Sequence, residues 1–185
     1  MKFKDVYELL AGEAFSNILL TLRRNSKKIY VDIERDSIQN VYKCLDNSTS
    51  DELLNNAMSF FSYELFKDVF DCTLIGHKKG YTAHTSNLGY LYQHGIGIKK
   101  NINKAIELSE IAAIKGDSNA MNTLGFIYEG NDGVKQNINK SLKYYLDAAE
   151  LRNIDSYYNL GRLYENENFE FFDHKLSIEY YQKGV

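Results

Sequence analysis

The fold class predicted by the sequence is all-α, an array of stacked helix pairs, and three observations predict it. Leu88-Gly89-Tyr90-Leu91-Tyr92 recurs as Leu124-Gly125-Phe126-Ile127-Tyr128 and again as Leu160-Gly161-Arg162-Leu163-Tyr164, each time 36 residues on. The same shift carries Asn101-Ile102-Asn103-Lys104 onto Asn137-Ile138-Asn139-Lys140, Gly97-Ile98 onto Gly133-Val134, and Ala112-Ala113 onto Ala148-Ala149. A constant period of this length is the mark of a solenoid. Finally, none of the 185 residues is proline, the strongest helix breaker.

Taken from the N-terminus, residues 1–48 are expected to form a cap region. Residues 4–24 suggest one or two helices broken near Gly12, 28–34 a short strand or a helix of the cap, and 37–45 a helix. Thr49 followed by Glu52 is a capping-box pattern, so a helix is placed over 50–63 and a second over 66–79, before Gly80. These make a degenerate first pair over 49–80. Three repeats follow, over 81–116, 117–152 and 153–185. Their first helices are placed at 82–93, 118–129 and 154–165, and their second helices at 102–115, 138–151 and 174 to 185. Asn101, Asn137 and Asp173 stand where an N-cap belongs, since a short side-chain oxygen accepts from a free backbone amide. Gly116 stands where a left-handed C-cap belongs. Arg152 takes that place one unit later, and the expectation is that Asn153 supplies the left-handed residue instead.

Gly89, Gly125 and Gly161 each cost about 1 kcal/mol against Ala inside a helix. Three such costs in one register predict a close approach there, most simply by the backbone of the neighbouring helix. One pair cannot cover its own apolar face, so stability is expected from stacking.

Lys140-Ser141, Tyr144-Tyr145 and Ala148-Ala149, together with the Leu-Gly-x-Leu-Tyr blocks, resemble the Sel1-like repeat family over about residues 81–185. The resemblance implies a right-handed α/α superhelical solenoid related to the tetratricopeptide repeat. Departures are His84, where the family prefers a small residue, and the loop Asn166-Glu167-Asn168-Phe169, which lacks glycine. Asn166 or Asn168 is expected to supply the positive φ there.

Composition narrows the function. With 22 basic and 25 acidic residues the net charge is −3, so no basic excess points to nucleic acid or anionic lipid. No apolar run approaches the ~20 residues that span a bilayer. The N-terminal apolar stretch is interrupted by Ser16, Asn17 and Thr21 and is followed by Arg23-Arg24, which reads as an amphipathic helix and not a signal peptide. A cytoplasmic location is the resulting expectation. Cys44 and Cys72 are too few for a disulfide scaffold and read as two small buried thiols, although their spacing leaves pairing open.

No catalytic constellation emerges, so no enzyme activity, metal or cofactor is expected. His77, His84, His94 and His174 form no metal-ligand pair. Gly95-Ile96-Gly97 is the repeat's turn, because Asp132-Gly133-Val134 stands in its place one period on. Tyr92, Tyr128 and Tyr164 read as packing, and Glu150, Glu165 and Glu167 as solvated surface.

The resemblance implies that the first helices line a concave face that meets a protein or peptide partner. The variable positions beside the Leu-Gly pair are Asn87, Thr123 and Asn159 before it, and Tyr90, Phe126 and Arg162 after it. The first row offers hydrogen bonds to an extended backbone, and the second offers side chains common at binding hot spots. The expected function is a non-catalytic adaptor or scaffold. One alternative is a hydrolase acting on a cell-wall or β-lactam-like substrate, a role assigned to cysteine-rich relatives whose paired cysteines this chain lacks. Another is self-assembly, as a homodimer through the last helix, or else a partner that caps that end, since Ile178, Tyr181 and Val185 are expected to have no following unit to cover them.

Overall fold

A computed structural model describes Cys44 and residues 47–185. The helices and strand expected before Cys44 lie outside the described residues. Among the described residues eight α-helices run in order: α1 (Ser50–Ser62), α2 (Phe66–Lys78), α3 (Thr82–His94), α4 (Ile102–Ile114), α5 (Ser118–Phe126), α6 (Ile138–Glu150), α7 (Ile154–Tyr164) and α8 (His174–Lys183). No strand occurs among the described residues. Each helix packs on the next, and α3 also meets α5, so pairs stack on pairs.

Short side chains start most of these helices. The Thr49 hydroxyl accepts from the Glu52 amide, and the Glu52 carboxylate accepts from the Thr49 amide at 2.7 Å. Asn101, Asp117, Asn137, Asn153 and Asp173 each cap the helix that follows. Such a cap is worth about 1 kcal/mol. Gly116 ends α4 in the left-handed region at φ 84°. The next unit corrects the expectation for Asn153: Arg152 itself turns left-handed at φ 59°, because Asn153 stays extended to cap α7. In the last connector, too, neither asparagine takes positive φ; Asn166 Oδ1 instead accepts from the Asn168 amide at 3.0 Å, closing the turn with a side chain.

α5 departs from its predicted end. It stops at Phe126, and a wide turn over Ile127–Asn131 follows, with Gly130 at φ 95°. Gly97, in the α3–α4 connector, has φ 70° and lies so close to the Phe66 carbonyl that any Cβ would collide with it.

The core repeats with the sequence. Leu88, Leu124 and Leu160 are buried in one row, and Leu91, Ile127 and Leu163 in another. Each buried aliphatic side chain contributes roughly 1.5–3 kcal/mol. The three helix glycines meet different neighbours. A Cβ on Gly89 would meet the Ala105 carbonyl at 3.3 Å and Ser109 Oγ at 2.8 Å. At Gly125 and Gly161 the space is filled by the rings of Tyr145 and Tyr181. The expected backbone approach is seen at the first repeat, where a serine stands in the place of the tyrosine.

Cys44 and Cys72 form a disulfide, with Cα atoms 5.0 Å apart. This corrects the reading of two buried thiols. The chain folds back so that the segment before α1 reaches α2, 28 residues on, which the linear spacing does not reveal. Closing a loop of that length is worth about 3–4 kcal/mol in the chain-entropy picture.

Candidate functional site

The predicted rows lie on the first helices α3, α5 and α7, and the structure treats their members differently. Asn87 and Tyr90 are exposed, one turn apart on α3. The Tyr90 ring lies 4.2 Å from that of His94. Burial lowers the pKa of His94, Asp132 pulls it up and Lys100 pushes it down. Thr123 is half-buried on α5. Phe126 is also half-buried and packs against the cluster of Tyr145, Ala149, Leu160 and Leu163, so it is largely a core residue.

Asn159 and Arg162 are engaged inside the molecule. Asn159 Nδ2 donates to Asn122 Oδ1 on α5 at 2.9 Å. The Arg162 guanidinium grips both oxygens of Glu129, with Nη2 donating to Oε2 at 2.7 Å. The Tyr145 hydroxyl donates to the same carboxylate at 3.1 Å. The hydrogen bond with Glu129 raises the pKa of Arg162 against the opposing effect of desolvation. Burial, reinforced by the Glu129 charge, pushes Tyr145 well above the usual phenol range. The two-pronged pair fixes the guanidinium in place and makes it a tie between units.

The neighbouring units are joined by further polar contacts along this face. Asn153 Nδ2 donates to Asn119 Oδ1 at 2.8 Å. Asp132, after the wide turn, accepts from Gln93 at 2.8 Å and from Lys100 at 2.7 Å. Burial alone would raise the Asp132 pKa, but these two hydrogen bonds, with the charges of Lys100 and His94, together hold the carboxyl below its ordinary value. Sequence reasoning missed Glu129, Asn122, Asp132 and Gln93. A signal was present for the first, since Glu129 and Tyr145 recur in register as Glu165 and Tyr181.

Tyr92, Tyr128 and Tyr164 line the connector side of each pair, half-buried. The ammonium of Lys104 sits 5.2 Å from the Tyr92 ring and that of Lys140 sits 3.9 Å from Tyr128. Tyr128 stacks on Tyr144, and Tyr164 on Tyr180. These tyrosines tie the two helices of a pair together. Among the described residues no group of three His, Cys, Asp or Glu side chains is placed to hold a metal ion, and no helix is long and apolar enough to cross a membrane.

The model of the Sel1 repeat family matches residues 86–117, 118–153 and 154–185, more than half of the chain. The chain belongs to the Sel1 repeat family. Two solved structures share the Sel1 architecture. A Sel1 repeat protein from Oxalobacter formigenes is 23% identical, with a TM-score of 0.62 over 74% of this chain and 54% of its own. A protective antigen of uropathogenic Escherichia coli strains that displays an SLR fold is 18% identical, with a TM-score of 0.57 over 86% of this chain and 41% of its own. The chain thus spans about half the length of these Sel1 relatives. At such identities the likeness shows the fold alone. No curated protein matches the sequence.

Proposed function

We propose that the protein is a non-catalytic interaction module that binds a segment of a protein partner along the face of its first helices, with Asn87 and Tyr90 as the principal contacts and Thr123 beside them. The observation that carries this reading is the contrast within the predicted rows. Asn159, Phe126 and Arg162 are spent on holding the units together, which fixes the spacing of the helices. Asn87 and Tyr90 remain outside, and Tyr90 is 46% exposed. Tyrosine supplies a large, stiff contact area and is enriched at hot spots, and an asparagine one turn away adds a donor and an acceptor for a peptide backbone.

The cytoplasmic setting expected from the sequence fits poorly with the Cys44–Cys72 disulfide, since such bonds persist in oxidising surroundings. We therefore place the working protein in an oxidising environment.

Peptides selected on the intact chain from a random library test the binding face. Tyr90→Ala and Asn87→Ala, both at exposed positions, should leave melting unchanged and weaken the selected peptides by roughly tenfold or more for Tyr90, in keeping with a hot-spot loss. Peptides that bind both variants as they bind the parent chain would remove this face from consideration.

A further inference from the structure

Charge is spread unevenly along the array. The repeat matched over 86–117 holds four basic and three acidic side chains, that over 118–153 four and four, and that over 154–185 three and six. The imbalance is sharpest around α3. Residues 72–106 contain five lysines and three histidines, and no Asp or Glu. Asn87 and Tyr90 lie within this stretch.

Lysines gather at the connector end of α3, beside Tyr90. The Tyr90 ring lies against His94, which in turn feels the charges of Lys100 and Asp132. Lys100 bridges to Asp132 of the next unit at 2.7 Å and so joins the α3–α4 connector to the turn after α5. Lys99 immediately precedes Lys100, Lys135 follows Asp132 by three residues, and a shift of 36 carries one onto the other. Both are exposed, and among the described residues neither forms an ion pair. The carboxylates close by are already engaged, Asp132 by Lys100 and Gln93, and Glu129 by Arg162. α4 and α6 also begin at this edge and turn the positive ends of their dipoles towards it. Their caps, Asn101 and Asn137, are neutral where the third unit has Asp173.

Building on the binding face of the first helices, we propose that the protein segment bound there is acidic, with carboxylates that meet Lys99 and Lys135 beside Asn87 and Tyr90. Charge complementarity selects this occupant. A carboxylate arriving at Lys99 or Lys135 displaces no ion pair of the molecule, whereas a basic segment would face two unpaired lysines. Opposite charges steer the encounter and fix register, and like charges brought together suppress the wrong partner. The uneven charge also sets a direction. The acidic part of the segment lies over the first two repeats, away from Glu165, Glu167 and Glu170 in the last connector.

The probe is a random nonapeptide library, selected on the full 185-residue chain at about 0.05 M salt, where surface charges are little screened. The selected pool should be enriched in Asp and Glu, and its most frequent peptide should bind about tenfold more weakly at about 0.5 M salt. Lys99→Glu and Lys135→Glu, at exposed positions, should leave melting unchanged and each weaken that peptide about threefold to fivefold, the range of an exposed charge pair. Lys183→Glu, at the far end of α8, makes the same change in net charge and should leave the affinity as it is. A neutral or basic pool overturns the proposal, as does an acidic pool that Lys183→Glu weakens as much as Lys99→Glu. No enriched pool at all overturns it together with the binding face. The two otherwise fail separately. Neutral peptides weakened by Tyr90→Ala keep the face and overturn the acidic occupant. Acidic peptides weakened by Lys99→Glu and untouched by Tyr90→Ala support the lysine edge and remove Tyr90 from the contact.

Discussion

The first and the later repeat junctions occupy the same register but are built from different side chains. Where the later units carry Ala112 with Ala120 and Ala148 with Ser156 in the same register, the first junction sets Gly76 against His84. The imidazole occupies the volume that a Cβ on residue 76 would need. Volume is thus conserved across the interface, not residue type, as close packing requires. The polar balance differs as well. His84 Nε2 reaches the Ser50 carbonyl at 3.1 Å, but among the described residues its buried Nδ1 has no partner, and neither has Ser109 Oγ. In the later units the tyrosines that replace Ser109 send their hydroxyls to Glu129 and Glu165. The period fixes where helices approach one another, and the local pair of residues decides how well that approach is satisfied.

The sharpest test of this contrast is a double-mutant cycle. Gly76→Ala should cost about 2–3 kcal/mol in denaturant unfolding, because the His84 ring is anchored and cannot yield. Adding His84→Ala recreates the Ala112–Ala120 pair and should recover most of that loss, although His84→Ala alone is destabilising. Additive effects would mean that the two positions do not compensate each other.

A smaller effect separates the glycines. Gly125→Ala drives a Cβ into the fully buried Tyr145 ring and should cost about 2 kcal/mol. Gly89→Ala meets chiefly the Ser109 hydroxyl, which can rotate, and the helix gains about 1 kcal/mol from alanine. Its net loss in the same unfolding assay should be well under that at Gly125. Equal losses would erase the distinction between the junctions.

The smallest effect is a pH dependence. Burial lowers the His84 pKa from 6.5, with the Ser50 carbonyl pulling weakly the other way. The unfolded chain therefore takes up the proton first, and stability falls as pH drops below about 6.5. Burial also lowers His77 and His94, which act in the same direction. His84→Gln should flatten the decline of the melting temperature between pH 7 and 5 without abolishing it. An unchanged slope would show that His84 is not the buried neutral group assigned to the first junction.

Much of this fold was legible in the sequence because it rests on local rules. Asn101, Asn137 and Asp173 cap as their side-chain chemistry dictates, and the register of Leu88, Leu124 and Leu160 gives the buried row directly. The candidate site was less legible, because it depends on where long side chains point. Arg162 reads as a ligand contact in the sequence, whereas its partner in the structure lies 33 residues back, at Glu129. Phe126 holds the same register position as Tyr90, yet it turns into the cluster beside Leu160 while Tyr90 faces outward. Rotamer direction on a helix separates these cases, and spacing does not.

The three connectors differ in sequence and backbone path: one uses Gly95 and Gly97, one widens over Ile127–Asn131, and one has no glycine. All three nevertheless end on one backbone hydrogen bond, from the amides of Asn101, Asn137 and Asp173 to the carbonyls of Tyr92, Tyr128 and Tyr164, at 2.8, 2.8 and 2.9 Å. Because main-chain atoms make this latch, it places few demands on the side chains between its ends, and lengthening a closed loop costs free energy only slowly. Foreign sequence can therefore be spliced into the exposed parts of the connectors while the helical frame stays in place, but not at Gly97, Asp132 or Phe169, which pack on or bind the helices.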